Sequence, residues 1–246
     1  MSRRSERLAL PRAVTFDCWG TLIFEPDGRA AHLRRLEMLS GTAAGAGLQA
    51  DAEAIRAALH TAWARHLALW QECVASGSRE MAGWALAELG LEDEEAAERL
   101  GGAFAEASLT SEIAALEGAR TTLLRLAKTG VRRALVCDTG FSPGRVVREL
   151  LDREGLFELL EVCIFSDEAG VPKPHPSLFH SALEPLGADP REAVHVGDLR
   201  RTDVAGARAA GMATVRISWH HDDRSDLPEA DTVVESHRHL LEVLGL

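Results

Sequence analysis

The apolar run Ala13 to Phe16 breaks at Asp17 into Cys18-Trp19-Gly20-Thr21, so a carboxylate stands at the carboxyl end of a strand with a glycine turn close behind it. Ligands of open α/β sheets bind at that edge, and an acid there marks a reaction centre. Further on, the run Ala193 to Val196 ends in Gly197-Asp198, with Asp203 five residues beyond, and the run Arg133 to Cys137 ends in Cys137-Asp138-Thr139-Gly140. Lys173 lies between Pro172 and Pro174, on a stiff loop just before a helix. Asp17, Asp198 and Asp203 offer the hard oxygen ligands that Mg²⁺ prefers. Lys173 offers a cation to neutralise an anionic group. Trp19, two residues after Asp17, occupies the place where a second acid could act on the same substrate and can neither give nor take a catalytic proton.

The elements that position these residues follow from periodicity. From Leu116 onward, helical and strand patterns alternate: helices over 119–129, 145–152, 176–186, 202–210 and 237–244, and strands over 133–137, 161–165, 193–196 and 213–217. Such alternation predicts a parallel sheet with helices on both faces, and apolar strands such as Val194-His195-Val196 fit a sheet covered on both sides. Between Asp17 and about Ser111 the pattern is helical throughout, over 30–39, 51–70, 80–89 and 94–108, punctuated by glycine-rich breaks. The expected fold is therefore α/β. A Rossmann-like core is formed by residues 1–25 and 111–246, and a four-helix cap, residues 26–110, is inserted after the first core strand. Tryptophans 63, 70 and 84 fall in that insert and are expected to anchor its core.

At 246 residues the chain has room for such a core and insert. Its formal net charge of −11 argues against a general affinity for nucleic acid or anionic membranes, so an anionic substrate must be held by local groups. The basic start Met1-Ser2-Arg3-Arg4 leads into no apolar stretch of signal-peptide length, and no segment has the apolar length of a membrane span. A cytoplasmic monomer or homodimer is expected. Cysteines 18, 73, 137 and 163 lack metal-site spacing and read as small buried hydrophobes, with Cys18 and Cys137, at strand tips, open to oxidation chemistry.

The ordered set of strand-tip residues resembles the haloacid dehalogenase superfamily of hydrolases, in its branch with a helical cap after the first strand. The first motif matches Phe16-Asp17-Cys18-Trp19-Gly20-Thr21-Leu22. The third matches Val171-Pro172-Lys173-Pro174-His175-Pro176, and the fourth matches Val196-Gly197-Asp198 with Asp203 to Met212. The resemblance implies that Asp17 is the nucleophile, attacking phosphorus to form an aspartyl-phosphate. It implies that Asp17, the Trp19 carbonyl and Asp198 ligate Mg²⁺, with Asp203 as a ligand or just behind one. Lys173 would balance charge on nucleophile and phosphoryl group, and backbone amides from Cys18 to Gly20 would hold phosphoryl oxygens. The second motif departs from the pattern, which ends its strand in Ser or Thr followed by Asn. Here Cys137-Asp138 stands in that place, and the phosphate-binding role falls either to Cys137 with backbone amides or to Thr139.

Family phosphatases carry an Asp where Trp19 stands, an acid–base worth 10²–10⁴-fold in general. Three readings follow. The chain is a Mg²⁺-dependent phosphatase of a small phosphorylated metabolite, using another acid or a leaving group that needs little protonation. Alternatively it is a metal-independent 2-haloacid dehalogenase, whose relatives carry an aromatic residue, usually Tyr, at that place. In the third reading it binds a phosphorylated ligand without turning it over. The retained carboxylates at 17 and 198 favour the first, since two facing acids without a cation are costly.

Other polar residues read as structural. His195, inside an apolar strand, is expected to be a hydrogen-bonded core histidine, His220-His221-Asp222-Asp223 a solvated turn, and His175 a neighbour that steers the lysine loop. His32, Arg35, Arg65 and His66 of the insert have no assigned role.

Overall fold

The computed structural model describes residues 10–27 and 29–246. The basic N-terminal segment, and Gly28 within the loop after the first motif, lie outside the described residues. Among the described residues six strands form one all-parallel sheet: β1 (Ala13–Phe16), β4 (Arg132–Cys137), β5 (Val162–Phe165), β6 (Ala193–Gly197), β7 (Ala213–Ile217) and β8 (Thr232–Val234). The remaining two, β2 (Ile23–Phe24) and β3 (Ala114–Ala115), make a separate antiparallel pair. The order across the large sheet is β5-β4-β1-β6-β7-β8. The chain therefore runs outward from β1 in one direction, returns, and runs outward in the other. The carboxyl ends of β1 and β6 flank this reversal, where the connections diverge and leave a crevice.

Among the described residues ten α-helices accompany the strands: α1 (Ala30–Gly45), α2 (Ala52–Gln71), α3 (Ser78–Glu88), α4 (Glu94–Glu106), α5 (Ala119–Lys128), α6 (Gly144–Arg153), α7 (Ser166–Ala169), α8 (Pro176–Leu183), α9 (Ala205–Ala209) and α10 (His237–Val243). None of them is long and apolar enough to cross a membrane. The chain divides into two compact units. One comprises the described residues up to Phe24 with Ala114–Asp138 and Leu151–Leu246; the other comprises Glu25–Ile113 with Thr139–Leu150.

In the sheet unit, all four residues of β1 are buried, as a central strand covered on both faces requires. Leu178, Phe179 and Ala182 of α8 pack with Ala134 and Val136 of β4 and with Ala13 and Ala193. Gly206 of α9 accepts the Phe179 ring so closely that a Cβ there would lie 2.5 Å from it. The predicted helix over 202–210 starts differently from expectation. Residues Arg200–Val204 form a π-helical turn, in which the N–H groups of both Asp203 and Val204 reach the Leu199 carbonyl at 3.0 and 3.2 Å, before α9 continues as a regular helix.

In the helical unit, Leu39, Ile55, Leu59, Met81, Leu86, Leu100 and Phe104 form a core with small alanines between them. Asp51 caps α2 by accepting from the N–H groups of Glu53 and Ala54 at 3.0 and 2.8 Å. The segment Thr139–Leu150, which the sequence pattern assigns to the sheet, packs here because Phe141 stacks on Trp63 and meets Phe104 edge-on, and the Ser142 hydroxyl lies 2.8 Å from that of Ser108. Trp84 is partly buried against the core, but Trp63 is not the anchor its type suggests. It is 38% exposed, because it sits beside, and not on, the Ile55–Leu59–Ala62–His66 stripe that α2 buries.

Candidate active site

Asp17 leaves the sheet at the β1 edge with its N–H still bonded to the Val196 carbonyl at 2.8 Å, which fixes where its side chain begins. The loop behind it closes tightly: the Cys18 carbonyl accepts from Leu22 and Ile23 at 2.8 and 3.1 Å, and the Gly20 N–H donates to the Ile23 carbonyl at 2.9 Å. Gly20 has φ +75°, and a Cβ on it would stand 2.7 Å from Oδ2 of Asp198, so only glycine fits between the two strand tips. Below the loop, Nε2 of the buried His237 lies 2.8 Å from the Thr21 carbonyl and ties the turn to α10.

Lys173 reaches into this crevice. Its ammonium donates to Oδ1 of Asp17 at 2.5 Å and to Oδ1 of Asp203 at 2.7 Å, and all three side chains are buried. The loop carrying it is anchored by its own N–H, which donates to Oδ1 of Asp138 at 2.8 Å, and by the capping of α8, where His175 Nδ1 accepts from the Ser177 N–H at 3.3 Å. Asp203 is fully engaged. Besides Lys173, its carboxylate takes the Leu199 N–H at 3.0 Å and lies 3.1 Å from His195 Nε2, while the ring's other nitrogen lies 2.7 Å from the Thr15 hydroxyl. Gly197 leaves room for Asp203, since a Cβ there would stand 2.3 Å from its Cγ.

Burial sets the electrostatics. It raises the Asp17 carboxyl to about 7 against the opposing pull of Lys173, and raises Asp198 to about 8, with the neighbouring charges of Asp17 and Asp203 adding to the effect. Burial would raise Asp203 as well, but Lys173 and His195 outweigh it and hold that carboxyl below the usual range. Burial would strip the proton from Lys173, yet Asp17, Asp203 and Asp138 keep the ammonium charged far beyond its usual range. Two of the three acids thus sit where the protein alone would not fully compensate a negative charge on them.

That imbalance is the test for a divalent ion. Ligand oxygens of Asp17, Asp198 and Asp203 lie within 4.8 Å of one another, all three residues are buried, and all the donors are hard oxygens. The residues fit Mg²⁺. The donor pattern separates them, however: Asp17 and Asp198 are the under-compensated pair, whereas Asp203 spends its oxygens on Lys173, His195 and Leu199.

Of the residues expected at the site, the structure brings together Asp17, Asp138, Lys173, Asp198 and Asp203 with Cys18 and Gly20. Cys137 is fully buried and free; its thiol donates to the Asp138 carbonyl at 3.3 Å, and a hydrogen bond with the Cys18 thiol together with burial pushes its pKa well up. The Cys137 thiol is thus not a ready thiolate. Trp19 is half-buried, bridging to Ile23. The Gly20 amide is taken by Ile23, so of the expected amide donors it is not open to a phosphoryl oxygen. Thr139 is buried and belongs to the helical unit. The 220–223 cluster is a pinned turn: Asp222 pairs with Arg216 and Arg224, and Asp223 accepts the Arg200 and Ser225 N–H groups. His237 carries no sequence signal for the site, and His195 is the hydrogen-bonded core histidine expected of it. A buried histidine beside a strand-tip Gly-Asp is the signal that pointed to the latter.

A parallel sheet with acids and a lysine converging at its switch point defines a hydrolase of the Rossmann-like class. Residues 11–211 match the haloacid dehalogenase-like hydrolases, and the chain belongs to that family. It is 38% identical over 130 residues to the glyceraldehyde 3-phosphate phosphatase of Pyrococcus furiosus, covering 52% of this chain and 53% of that protein. With several such relatives the chain spans about half of the relative's length or less. The phosphoglycolate phosphatase of Pectobacterium atrosepticum is 27% identical over 241 residues, covering 95% of this chain and 92% of that one. Among solved structures, a HAD phosphatase from Thermococcus onnurineus superimposes with a TM-score of 0.65 at 25% identity, covering 95% of this chain and 98% of that one.

Proposed function

We propose that this chain is a Mg²⁺-dependent phosphatase of a small phosphorylated metabolite, with residues 1–25 and 111–246 as its catalytic core and residues 26–110 as the cap that selects the substrate. The observation that carries the reading is the buried pair Asp17 and Asp198, raised to about 7 and about 8, beside a lysine already committed to Asp17 and Asp203. Such a pair is stabilised by a divalent ion and not by the protein alone. Relatives whose names specify phosphatases of three-carbon and two-carbon phosphates support the same class.

In this reading Asp17 attacks phosphorus, the leaving oxygen departs, and water later releases phosphate from the aspartyl-phosphate. Asp17 and Asp198, with the Trp19 carbonyl, would hold Mg²⁺, which supplies positive charge to the phosphoryl oxygens when bound. Lys173 keeps Asp17 ionised and turned toward the crevice, and Asp203 braces Lys173. Asp138 fixes the lysine loop by its bond to the Lys173 N–H. Cys137 or Thr139 supplies the remaining contact to the phosphoryl group. The missing acid at Trp19 directs the enzyme toward substrates with good leaving groups, such as acyl phosphates.

The aromatic residue at position 19 favours a second reading, dehalogenation of a 2-haloacid, because a halide leaves without a proton. Phosphate release from p-nitrophenyl phosphate and acetyl phosphate should require Mg²⁺ and disappear in Asp17→Asn. Chloride release from 2-chloropropionate without metal would replace this reading with the dehalogenase. Silence in both assays, with phosphate still raising the melting temperature, would leave a binding protein.

A further inference from the structure

His195 stands inside β6, among residues that are otherwise apolar, and is 1% exposed. Its ring is held from three sides: Nδ1 faces the Thr15 hydroxyl at 2.7 Å, Nε2 faces Oδ1 of Asp203 at 3.1 Å, and Phe179 meets it edge-on at 4.9 Å. An ionised carboxylate only accepts, so Nε2 carries the hydrogen; in the neutral ring Nδ1 then accepts, and Thr15 donates. Burial favours that neutral form.

From this geometry we propose that His195 is a positioning residue, which fixes Asp203 and through it the Lys173 ammonium that holds the nucleophile Asp17. Oδ1 of Asp203 is shared by Lys173 at 2.7 Å and His195 at 3.1 Å, so the histidine sets where the lysine finds its second partner. A neutral donor suits this place. It orients the carboxylate without adding a second buried cation to compete with Lys173 for Asp17. The line Thr15–His195–Asp203–Lys173–Asp17 runs from the centre of the sheet to its reactive edge, and Thr15 and His195 sit opposite each other in the β1–β6 register. A histidine needed only to fill the core would gain nothing from an acidic partner.

The inference rests on the phosphatase reading for its kinetic test and stands apart from it for its spectroscopic one. Gln at position 195 reaches about as far as Nε2 and can donate to Asp203; Asn reaches only as far as Nδ1. With p-nitrophenyl phosphate and Mg²⁺, His195→Asn should lose about 10–100-fold in kcat, the usual effect of an orienting partner behind a site, with KM within about twofold. His195→Gln should keep most of kcat, and both variants should melt cooperatively above the assay temperature. Equal losses in Asn and Gln, an unchanged kcat in Asn, or a loss confined to KM would overturn the proposal. ¹⁵N spectra of the histidine-labelled wild type, assigned with His195→Gln, should show the hydrogen on Nε2. The Nδ1–H tautomer, which offers Asp203 no donor, would overturn the proposal whatever the activity. An inactive wild type whose ring is Nε2–H would instead overturn the phosphatase reading.

Discussion

Nζ of Lys173 lies 2.5 Å from Oδ1 of Asp17, and neither side chain has appreciable access to solvent. The same ammonium serves Asp203, so one cation compensates two buried acids. Removing it leaves both unpaired, a change that costs about 3–5 kcal/mol when a buried partner is deleted. Lys173→Met should therefore lower the urea unfolding free energy by about that much at pH 8 without Mg²⁺. The loss should shrink at pH 5, where Asp17, raised to about 7, takes up a proton. An equal loss at both values would show that Asp17 is not the group relieved.

A second prediction concerns pH and metal. Asp17 and Asp198 are raised from 3.8 to about 7 and about 8, so between about pH 4 and 8 the native chain holds protons that the unfolded chain has released. Without metal, these two groups make stability fall as pH rises through that window. Buried His66, His195 and His237, whose imidazoles are pushed down by burial, act in the opposite direction below about 6.5, the ordinary imidazole value. Asp203 is held down and contributes constantly here, losing its share only in stronger acid. The readout is thus the difference between wild type and Asp198→Asn: the downward slope with pH should flatten in the variant. Mg²⁺ must displace the protons, so it should raise the wild-type melting temperature more at pH 8 than at pH 5.5. A larger metal effect at the acid end would contradict the assigned ligands.

Restoring the acid is a third test. Trp19→Asp should raise hydrolysis of an alkyl phosphate such as glycerol 3-phosphate by up to about 10²-fold, while acetyl phosphate, whose leaving group needs little protonation, changes little. A rise of equal size on both substrates would mean that the indole obstructs the site.

Glycine positions supply a fourth. Gly197→Ala forces a Cβ to within 2.3 Å of Asp203 Cγ, and the displaced carboxylate should cost about 1–3 kcal/mol of stability and at least about tenfold in kcat. Gly102 in α4 has nothing within 4 Å of its added Cβ, so Gly102→Ala should instead stabilise by about 0.4–1 kcal/mol with unchanged activity. Urea unfolding and steady-state kinetics on the two variants check both.

Much of this arrangement is readable from residue order. Buried parallel strands such as Ala13–Phe16 and Ala213–Ile217 are short runs rich in β-branched and apolar residues that stop abruptly at polar or glycine-containing loops, which is why their limits coincide with expectation. The acids and the lysine follow those stops. What escapes has too little local signal. Strand β8 is three residues behind a charged loop, and β2 and β3 are two residues each, held by pairing alone. The packing of Thr139–Leu150 with the helical unit depends on Phe141 meeting Trp63 and Phe104, residues distant in sequence. His195 reads as core because its strand is apolar; its link to Asp203 depends on the wide turn that follows, which no period predicts.

That wide turn constrains how the family segment can change in length. Between Leu199 and Val204 one carbonyl serves two N–H groups, so the backbone holds an extra residue that a regular helix would not. Deleting a single residue there would tighten the coil and swing the acid at 203 by about 100° around its axis, out of reach of the ammonium. Insertions and deletions should be tolerated on the far side of α9 and rejected between 199 and 203, so the spacing of the two aspartates is inherited as a unit.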